Sequence, residues 1–392
     1  MRLPLRSDVF RPTKIPARAT RAGASFLFLA AFALLAPASA GAQQPAEPVV
    51  AASTATESLR FACESFRADN AIVGMSVAVL DHGRVVFAEA FGHADRERAV
   101  LATRDTLFRL GSISKPVTAT IAAELADEGK LDLGADLRRY APDLKERLPA
   151  MTLADVLSHT AGFRHYRPDR VDNSTTHRTT HEALELFLAD PLLSAPRAKY
   201  SYSTHGYTVA VDVLEHVTGK TFVELVRARV RDRVAPTLDC EVLTDAKPAR
   251  SALYEKKGSG KVLHHAVPED NSWKYGGGGM ESTALDLARF ADAVRTAKLV
   301  TAAGRDRMWS ATTLADGSTS NYGLGWRLEP RLGRVMHTGS QQGANSVLVI
   351  DGKEERVFVV MTNTLGTKPQ ELVPRLRELV TRAAAPRPAS PR

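Results

Sequence analysis

Hydrophobic and polar positions alternate in two separate parts of the chain, one near each end. Near the amino terminus, residues 74–80 and 84–90 alternate around the turn Asp81-His82-Gly83. Near the carboxyl terminus, three more strand-like runs cover residues 334–338, 345–350 and 356–361. Alternation with a period of two is typical of strands that bury one face. We expect the strands from both ends to join one antiparallel sheet.

The segment between these strand sets, residues 111–325, is predicted to be largely helix and loop. Its clearest helical series covers residues 117–131, with apolar residues at Val117, Ile121, Ala122, Leu125 and Ala126. Further helices are predicted over residues 55–69 and 369–383. The predicted fold class is therefore α+β with α/β layering, in which helices flank the antiparallel sheet and a mostly helical lobe is added.

Residues 1–42 have the composition of a targeting segment. Six basic residues and Asp8 precede or flank the apolar run 26–35, and small residues follow at 38–42. This pattern predicts a signal peptide, and an arginine-rich transit peptide is the alternative. The apolar run is too short for a membrane span, and no cysteine marks a lipid anchor. We expect a periplasmic or secreted protein with no stable membrane anchor.

The composition is that of a globular protein and adds few further constraints. The formal charge is +8, but residues 1–42 carry +5 of it, which leaves +3 and gives no reason to expect nucleic-acid binding. After the signal peptide, residues 43–54 are predicted to be a linker, 55–383 one folded domain and 384–392 a disordered tail. The two cysteines, Cys63 and Cys240, could pair or remain free thiols.

The run Ser112-Ile113-Ser114-Lys115 is the strongest candidate for chemistry, because it places a serine and a lysine on one face of a predicted helix start. A serine hydroxyl needs a neighbouring base to become a nucleophile. A lysine has a reference pKa of about 10.4, so burial or nearby positive charge must lower it before it can be that base. An N-cap serine beside a solvated lysine is the alternative interpretation.

Two further motifs could complete such a site. Tyr202-Ser203-Thr204 offers a tyrosine that can act as a base or proton shuttle beside a lysine. His337-Thr338-Gly339-Ser340 follows a strand-like run and offers a hydroxyl and backbone N–H groups to a substrate. The segments 157–163 and Gly276–Gly279 also have compositions typical of turns beside a site.

Taken in chain order, these motifs resemble the penicillin-recognising serine hydrolases. The series is Ser-x-x-Lys, Leu-Ser-His-Thr-x-Gly, Tyr-Ser-x-x-Gly-Tyr, a glycine run and His-Thr-Gly. The resemblance covers residues 55 to 383. It points to the branch with class C beta-lactamases, D-Ala-D-Ala carboxypeptidases, D-aminopeptidases, esterases and the mitochondrial beta-lactamase-like protein. It implies an antiparallel sheet, a helical lobe and a serine in the cleft between them.

The resemblance also implies roles for individual residues. Ser112 would form an acyl-enzyme, and Lys115 and Tyr202 would share the proton transfers, with the base left unassigned between them. The backbone N–H groups of Ser112 and Ser340 would form the oxyanion hole. His337, Thr338, Gly339 and Thr204 would bind or orient the substrate. Tyr207 and His159 are expected to be structural.

Two positions depart from the family pattern. Thr204 stands where asparagine is usual, and it cannot donate N–H bonds to a substrate carbonyl. His337 stands where the strongest beta-lactamases of this branch have lysine, so we expect a weaker and pH-dependent attraction for a carboxylate. Both departures argue against efficient beta-lactam hydrolysis.

Residues 164–181 are predicted to form a loop over the cleft. His165, His177 and His181 lie in it with Asp169 and Asp172, but no His-Glu-x-x-His motif occurs. We expect no metal and no cofactor.

Three functions follow from these observations. The leading one is a serine hydrolase that acts through an acyl-enzyme on peptide, amide or ester bonds, with a small-molecule or peptide substrate that could derive from the cell wall. The alternatives are a true beta-lactamase and a non-catalytic protein that binds peptidoglycan or a partner on the same fold.

Overall fold

A seven-stranded antiparallel sheet made from both ends of the chain forms the centre of the fold. Its strands lie in the order β11 (Arg327–Glu329), β12 (Arg334–Gln341), β13 (Ala344–Asp351), β14 (Arg356–Thr362), β1 (Gly74–Asp81), β2 (Arg84–Asp95) and β3 (Val100–Leu101). The computed structural model describes residues 54–166, 179–245, 247, 249–257, 262–265 and 268–384. The amino-terminal strand β1 lies in the interior of this sheet, between β2 and the carboxyl-terminal strand β14. The predicted fold class is confirmed.

The strands and helices have the following bounds. The strands are β1 (Gly74–Asp81), β2 (Arg84–Asp95), β3 (Val100–Leu101), β4 (Phe108–Arg109), β5 (Asp239–Cys240), β6 (Tyr254–Lys257), β7 (Val262–His265), β8 (Met280–Ser282), β9 (Thr312–Thr313), β10 (Thr319–Ser320), β11 (Arg327–Glu329), β12 (Arg334–Gln341), β13 (Ala344–Asp351), β14 (Arg356–Thr362) and β15 (Thr364–Leu365). The α-helices are α1 (Thr54–Asp69), α2 (Ser114–Asp127), α3 (Leu153–Leu157), α4 (Thr180–Leu184), α5 (Thr204–Thr218), α6 (Phe222–Val226), α7 (Asp232–Val234), α8 (Tyr275–Gly278), α9 (Ala284–Arg295), α10 (Ala302–Met308) and α11 (Val373–Ala384).

Alternation along the central strands divides the interior into two cores. On β1, Val77 and Val79 face the core that also contains Leu59 of α1 and Leu376 of α11. Their neighbours Ala78 and Leu80 face the larger core that continues into the helical lobe. A strand points successive side chains to opposite faces, so one apolar strand can serve both cores.

Helix α2 forms the centre of the lobe and is buried along most of its length, from Ser114 to Leu125. A helix that is apolar on nearly every side is stable only when other elements surround it. Helix α5 lies beside it and is capped at its start by Ser203, whose hydroxyl accepts from the Gly206 N–H at 3.0 Å. It ends at Gly219, which has a left-handed conformation with φ +65°.

The structure differs from the sequence predictions mainly at element boundaries. Ser112 lies in a 3-10 turn, Gly111–Ile113, just before α2, and α2 ends at Asp127 although the predicted helix continued to residue 131. The His-Thr-Gly motif lies within β12, because that strand continues to Gln341. Cys63 and Cys240 are both buried free thiols.

Several predictions concern residues outside the described part of the chain. The signal peptide over residues 1–42, nearly all of the linker and nearly all of the tail lie there, as do His177, Asp169 and Asp172 of the loop. Within the described residues, no helix has the length and apolar character needed to cross a membrane.

Candidate active site

Ser112 is presented by a tight turn that two neighbouring residues hold in place. Gly111 adopts φ +53°, a left-handed conformation that glycine reaches without steric cost. The Ser114 hydroxyl donates to the Gly111 carbonyl at 2.8 Å and accepts from the Met280 N–H at 3.2 Å. Ser114 therefore attaches the turn to strand β8, while the partly exposed Ser112 remains available to a substrate.

The same turn packs directly against strand β12. A side chain at Gly111 would place its Cβ 2.8 Å from the Ser340 nitrogen, and one at Gly339 would lie 1.9 Å from the Leu110 carbonyl oxygen. The Ser346 hydroxyl donates to that carbonyl at 2.7 Å. This approach places the backbone next to Ser112 against the Ser340 N–H, the second group predicted for the oxyanion hole.

Lys115 lies fully buried beside Ser112 among neutral partners. Its ammonium nitrogen is 3.2 Å from the Ser112 hydroxyl, 3.2 Å from the Thr204 hydroxyl and 2.6 Å from the Gly277 carbonyl oxygen. Burial, reinforced by the charge of Lys274, holds the pKa of Lys115 well below its usual value. A neutral amine in this position can take the proton of Ser112.

Tyr202 lies beside Ser112, and the serine hydroxyl acts on its phenol. Its ring centre is 4.8 Å from the Lys115 nitrogen, and that of Tyr207 is 5.3 Å from it. Burial raises the pKa of Tyr202, and the neighbouring Ser112 hydroxyl only partly opposes this shift. Tyr202 therefore keeps its proton at neutral pH, and Tyr207 is occupied elsewhere because its phenol donates to the Leu157 carbonyl at 2.7 Å.

His159 lies behind Tyr202, with ring centres 4.3 Å apart. Its Nδ1 atom accepts from the Ser203 N–H at 3.1 Å, so the ring supports the start of α5. His159 is buried, and burial holds its pKa well below the usual value. It adopts φ +63°, and these contacts describe a packing role like the one expected from the sequence.

Thr204 directs its hydroxyl to Lys115 and is itself buried. The adjacent glycine run makes this arrangement possible, because a Cβ at Gly277 would lie 2.7 Å from the Thr204 methyl carbon. Gly276 packs as tightly against Val211 of α5, at 2.3 Å. The predicted turn at the glycines is the single helical turn α8, which carries the carbonyl that binds Lys115.

His337 is buried, with 1% of its surface exposed. Its Nε2 atom lies 2.9 Å from the Tyr322 phenol, and its Nδ1 atom lies 2.7 Å from the Thr338 carbonyl. This pairing suits a neutral ring that donates from Nδ1 and accepts at Nε2. Burial lowers the pKa of His337 to about 3. The expectation of a pH-dependent charge on His337 is therefore wrong for the physiological pH range.

Arg327 supplies a cation at the cleft that the sequence motifs did not indicate. A cavity of about 490 Å³ lies beside Thr338, and its lining includes Tyr200, Tyr322 and Arg327. The Arg327 side chain is exposed, and its guanidinium makes no hydrogen bond or ion pair with any residue in the described ranges. A single arginine after Gly325-Trp326 carries no motif, so only its position beside the cavity reveals it.

The described part of the predicted cleft loop contacts the start of α5. The Arg164 carbonyl accepts from the Ser203 hydroxyl at 2.7 Å. His165 accepts from the Thr204 N–H at 3.2 Å. His181 lies 3.7 Å from Asp212, in the middle of α5. Among the residues that the structure describes, no group of three histidine, cysteine or carboxylate side chains is arranged to hold a metal ion.

Comparisons with known proteins were consistent in sequence and in structure. The family model described as Beta-lactamase matches residues 60–382. The mitochondrial serine beta-lactamase-like protein LACTB of Bos taurus is 27% identical over 300 residues, which cover 56% of this chain but only 53% of the relative. Esterase EstB of Burkholderia gladioli is 29% identical over 259 residues, covering 57% of this chain and 66% of the esterase.

A solved structure shares the fold over most of the chain. The D-amino acid amidase of Ochrobactrum anthropi SV3, in complex with L-phenylalanine amide, superposes with a TM-score of 0.74 at 21% identity. The match covers 85% of this chain and 100% of the amidase.

Proposed function

Because the chain belongs to the beta-lactamase family of serine hydrolases, we propose that it hydrolyses amide or ester bonds through an acyl-enzyme on Ser112. The family resemblance expected from the motifs is confirmed by the same match. The observation that carries the proposal is the fully buried Lys115 amine, 3.2 Å from the Ser112 hydroxyl with only neutral hydrogen-bond partners among the described residues.

In the proposed acylation, the Ser112 oxygen attacks the substrate carbonyl carbon while its proton passes to neutral Lys115. The backbone N–H groups of Ser112 and Ser340 stabilise the negative charge that develops on the carbonyl oxygen. Tyr202 lies beside Ser112 and is still protonated, so it is placed to donate its proton to the leaving amine or alcohol. Lys115 then returns a proton to Tyr202, and water releases the acyl group by the reverse transfers.

The cavity beside Thr338 suggests a substrate that carries a carboxylate. Arg327 is an exposed cation without a described partner, and a guanidinium binds a carboxylate well. His337 is neutral, so Arg327 takes over the charge expected at the His-Thr-Gly motif. We infer that the substrates are small peptides, amides or esters of amino acids with a free carboxylate.

Cell-wall peptides with D-amino acids fit this chemistry. The fold of a D-amino acid amidase and the sequence similarity to an esterase support amide and ester substrates as a group. Thr204 engages Lys115 and lacks an amide donor, and His337 lacks a charge, so beta-lactams are expected to be poor substrates. The composition of residues 1–42 supports export to the periplasm or the medium, where such peptides occur.

Intact mass spectrometry of the protein with a penicillin tests the acyl-enzyme, with Ser112→Ala as the matched control. A mass increase in the wild-type protein that Ser112→Ala lacks supports the proposal. Turnover of a p-nitrophenyl ester and of D- and L-alanine p-nitroanilides, followed alongside a chromogenic cephalosporin, distinguishes the substrate classes. Rapid cephalosporin turnover with slow ester and anilide turnover would favour a beta-lactamase instead.

Lys115→Ala should lower the acylation rate by about 10²–10⁴-fold, because a positioned general base contributes on that scale. Circular dichroism would show that the variant is folded. A loss below tenfold would contradict the role assigned to Lys115. If Ser112→Ala left every hydrolytic activity unchanged, the acyl-enzyme proposal itself would be wrong, and a non-catalytic binding role would gain support.

A further inference from the structure

A second lysine, Lys274, lies buried next to the site just before the glycine turn. Only 5% of its surface is exposed. Its ammonium nitrogen lies 4.9 Å from the ring centre of Trp273 and 5.1 Å from that of Tyr166. Within the described ranges the Lys274 ammonium group makes no hydrogen bond and no ion pair. Two aromatic faces attract a cation but do not neutralise it, so the charge of Lys274 acts on its surroundings.

Lys274 and Lys115 approach the same short helical turn, α8. Lys115 donates to the carbonyl of Gly277 at 2.6 Å. The Lys274 stem packs against the next residue, where a Cβ at Gly278 would lie 3.8 Å from its Cδ carbon. The Gln341 side chain of β12 lies 3.9 Å from the same point, so the Lys274 stem and β12 both border Gly278 at van der Waals distance.

The charges around Lys274 leave it protonated at neutral pH. Burial lowers its pKa to about 8, while Glu269 and Glu241 oppose that shift and Arg109 adds to it. Glu241 is already paired with Arg109 at 2.7 Å. It also accepts from the Asn271 side chain at 2.7 Å. Glu269 is the carboxylate of this group that no buried arginine neutralises. It makes no ion pair with Lys274.

Lys115 has no comparable source of charge on its other sides. The side chains of His159 and His337 face it, but burial keeps both rings neutral. The rings of Tyr202 and Tyr207 keep their protons for the same reason. The more exposed His165 contacts Thr204 and accepts a hydrogen bond there, which requires an unprotonated Nδ1 atom. Among the described residues, Lys274 is therefore the cation that acts on Lys115.

We propose that Lys274 is a positioning residue whose fixed positive charge keeps Lys115 in the neutral form that accepts the Ser112 proton. Repulsion between two ammonium groups favours the deprotonated form of the one that is more deeply buried. Lys274 would thus supply, from the loop before α8, a cation that the His-Thr-Gly motif lacks because His337 is neutral. This inference rests on the proposed role of Ser112 and Lys115.

The test is the pH dependence of Ser112 phosphonylation by a neutral fluorophosphonate, followed by intact mass in Lys274→Met, Lys274→Arg and wild-type protein. The probe carries no carboxylate, so a role of Lys274 in substrate anchoring does not affect it. In the wild type the rate falls as the pH drops through the Lys115 pKa, because protonated Lys115 cannot accept a proton. Lys298→Met, which removes an exposed lysine, is the control for overall charge.

Removing the charge of Lys274 raises the Lys115 pKa. In Lys274→Met the phosphonylation rate should therefore begin to fall at a pH about one unit higher than in the wild type. The rate below the transition should drop about tenfold, while the high-pH plateau stays near the wild-type value. Lys274→Arg keeps the charge and should restore the wild-type profile, and Lys298→Met should match it.

If Lys274→Met lowered the high-pH plateau of the phosphonylation rate without shifting the pH of the transition, Lys274 would only shape the glycine turn. This result would overturn the inference. An unchanged profile would overturn it as well. Both results leave the acyl-enzyme proposal intact as long as phosphonylation still requires Ser112. If Ser112→Ala were phosphonylated like the wild type, the proposed function would fail first.

Discussion

Burial acts in opposite directions on the two groups that contact Ser112. Removing an ionisable group from water penalises its charged form, so burial lowers the pKa of an amine and raises that of a phenol. Lys115 therefore becomes neutral and Tyr202 stays protonated in the same environment. The sequence left the base unassigned between them. The geometry supports Lys115 as the group that accepts the serine proton and Tyr202 as the group that donates to the leaving atom.

Arg327→Gln should raise KM for substrates with a free carboxylate about tenfold or more, because a charge-assisted contact is lost. KM for an uncharged p-nitrophenyl ester should change less than twofold, and kcat should be retained for both. Steady-state kinetics with a carboxylate-bearing ester and its methyl ester measures the difference.

Arg331→Gln removes an exposed arginine four positions further along the chain and serves as the control. Equal effects of Arg327→Gln on the charged and the uncharged ester would remove the carboxylate argument, although Ser112 chemistry would be unaffected.

At the level of elements, the site depends on contact between the turn before α2 and strand β12. The strand pairs with β11 only over its first three residues, Arg334–Met336, so the part with the His-Thr-Gly motif is free to meet the turn. The prediction from sequence placed the motif at the end of a strand. The strand continues to Gln341 because residues 344–351 pair with it over its full length.

Gly339→Ala should disrupt this contact, since the new methyl would lie 1.9 Å from the Leu110 carbonyl oxygen and 2.2 Å from the Ser346 hydroxyl. Overpacking of this kind costs about 1–3 kcal/mol or more, and the turn that carries Ser112 has to move. We expect a lower Tm and at least a tenfold loss of kcat/KM.

Gly134→Ala is the matched control, because that glycine is exposed and its nearest neighbour to an added Cβ is 3.4 Å away. Thermal unfolding and ester hydrolysis measured on both variants would check the expectation. Normal activity in Gly339→Ala would mean that the close approach is not needed for catalysis.

For the molecule as a whole, the two faces of the sheet have different tasks. Helices α1 and α11 cover one face and, in the described ranges, contribute no residue to the site. The other face supports α2, α5 and α9 of the lobe. The candidate site residues Ser112, Lys115 and Tyr202 lie on or just before α2 and α5. Mutations in the first core should therefore affect stability and leave the chemistry unchanged.

Leu376→Ala in α11 tests this division, because Leu376 is fully buried in the first core. Loss of a buried leucine side chain costs about 2–5 kcal/mol of unfolding free energy. Urea unfolding should show that loss, while kcat/KM measured well below the transition remains within twofold of the wild type. The exposed Arg375, replaced by alanine, is the control. A large loss of kcat/KM in folded Leu376→Ala would show that the two faces are coupled.

The sequence by itself determined the strand pattern, the antiparallel sheet from both chain ends and the order of the motifs that identify the family. These features are local, because alternation along a strand and spacing within a motif depend on near neighbours. The bounds of α2 and β12 were less well predicted, since they depend on pairing with distant segments. The targeting segment and the roles of the site residues remain predictions.

Only the tertiary structure decided the charges in the site. Lys115 meets Thr204 and Gly277 across 89 and 162 positions of sequence, and its neutrality comes from that burial. His337 looked like a pH-dependent cation, but enclosure by Tyr322 and its own strand keeps it neutral. Charge in a protein interior depends on solvent exclusion and on partners brought together by folding. The local sequence specifies neither the solvent exclusion nor these partners.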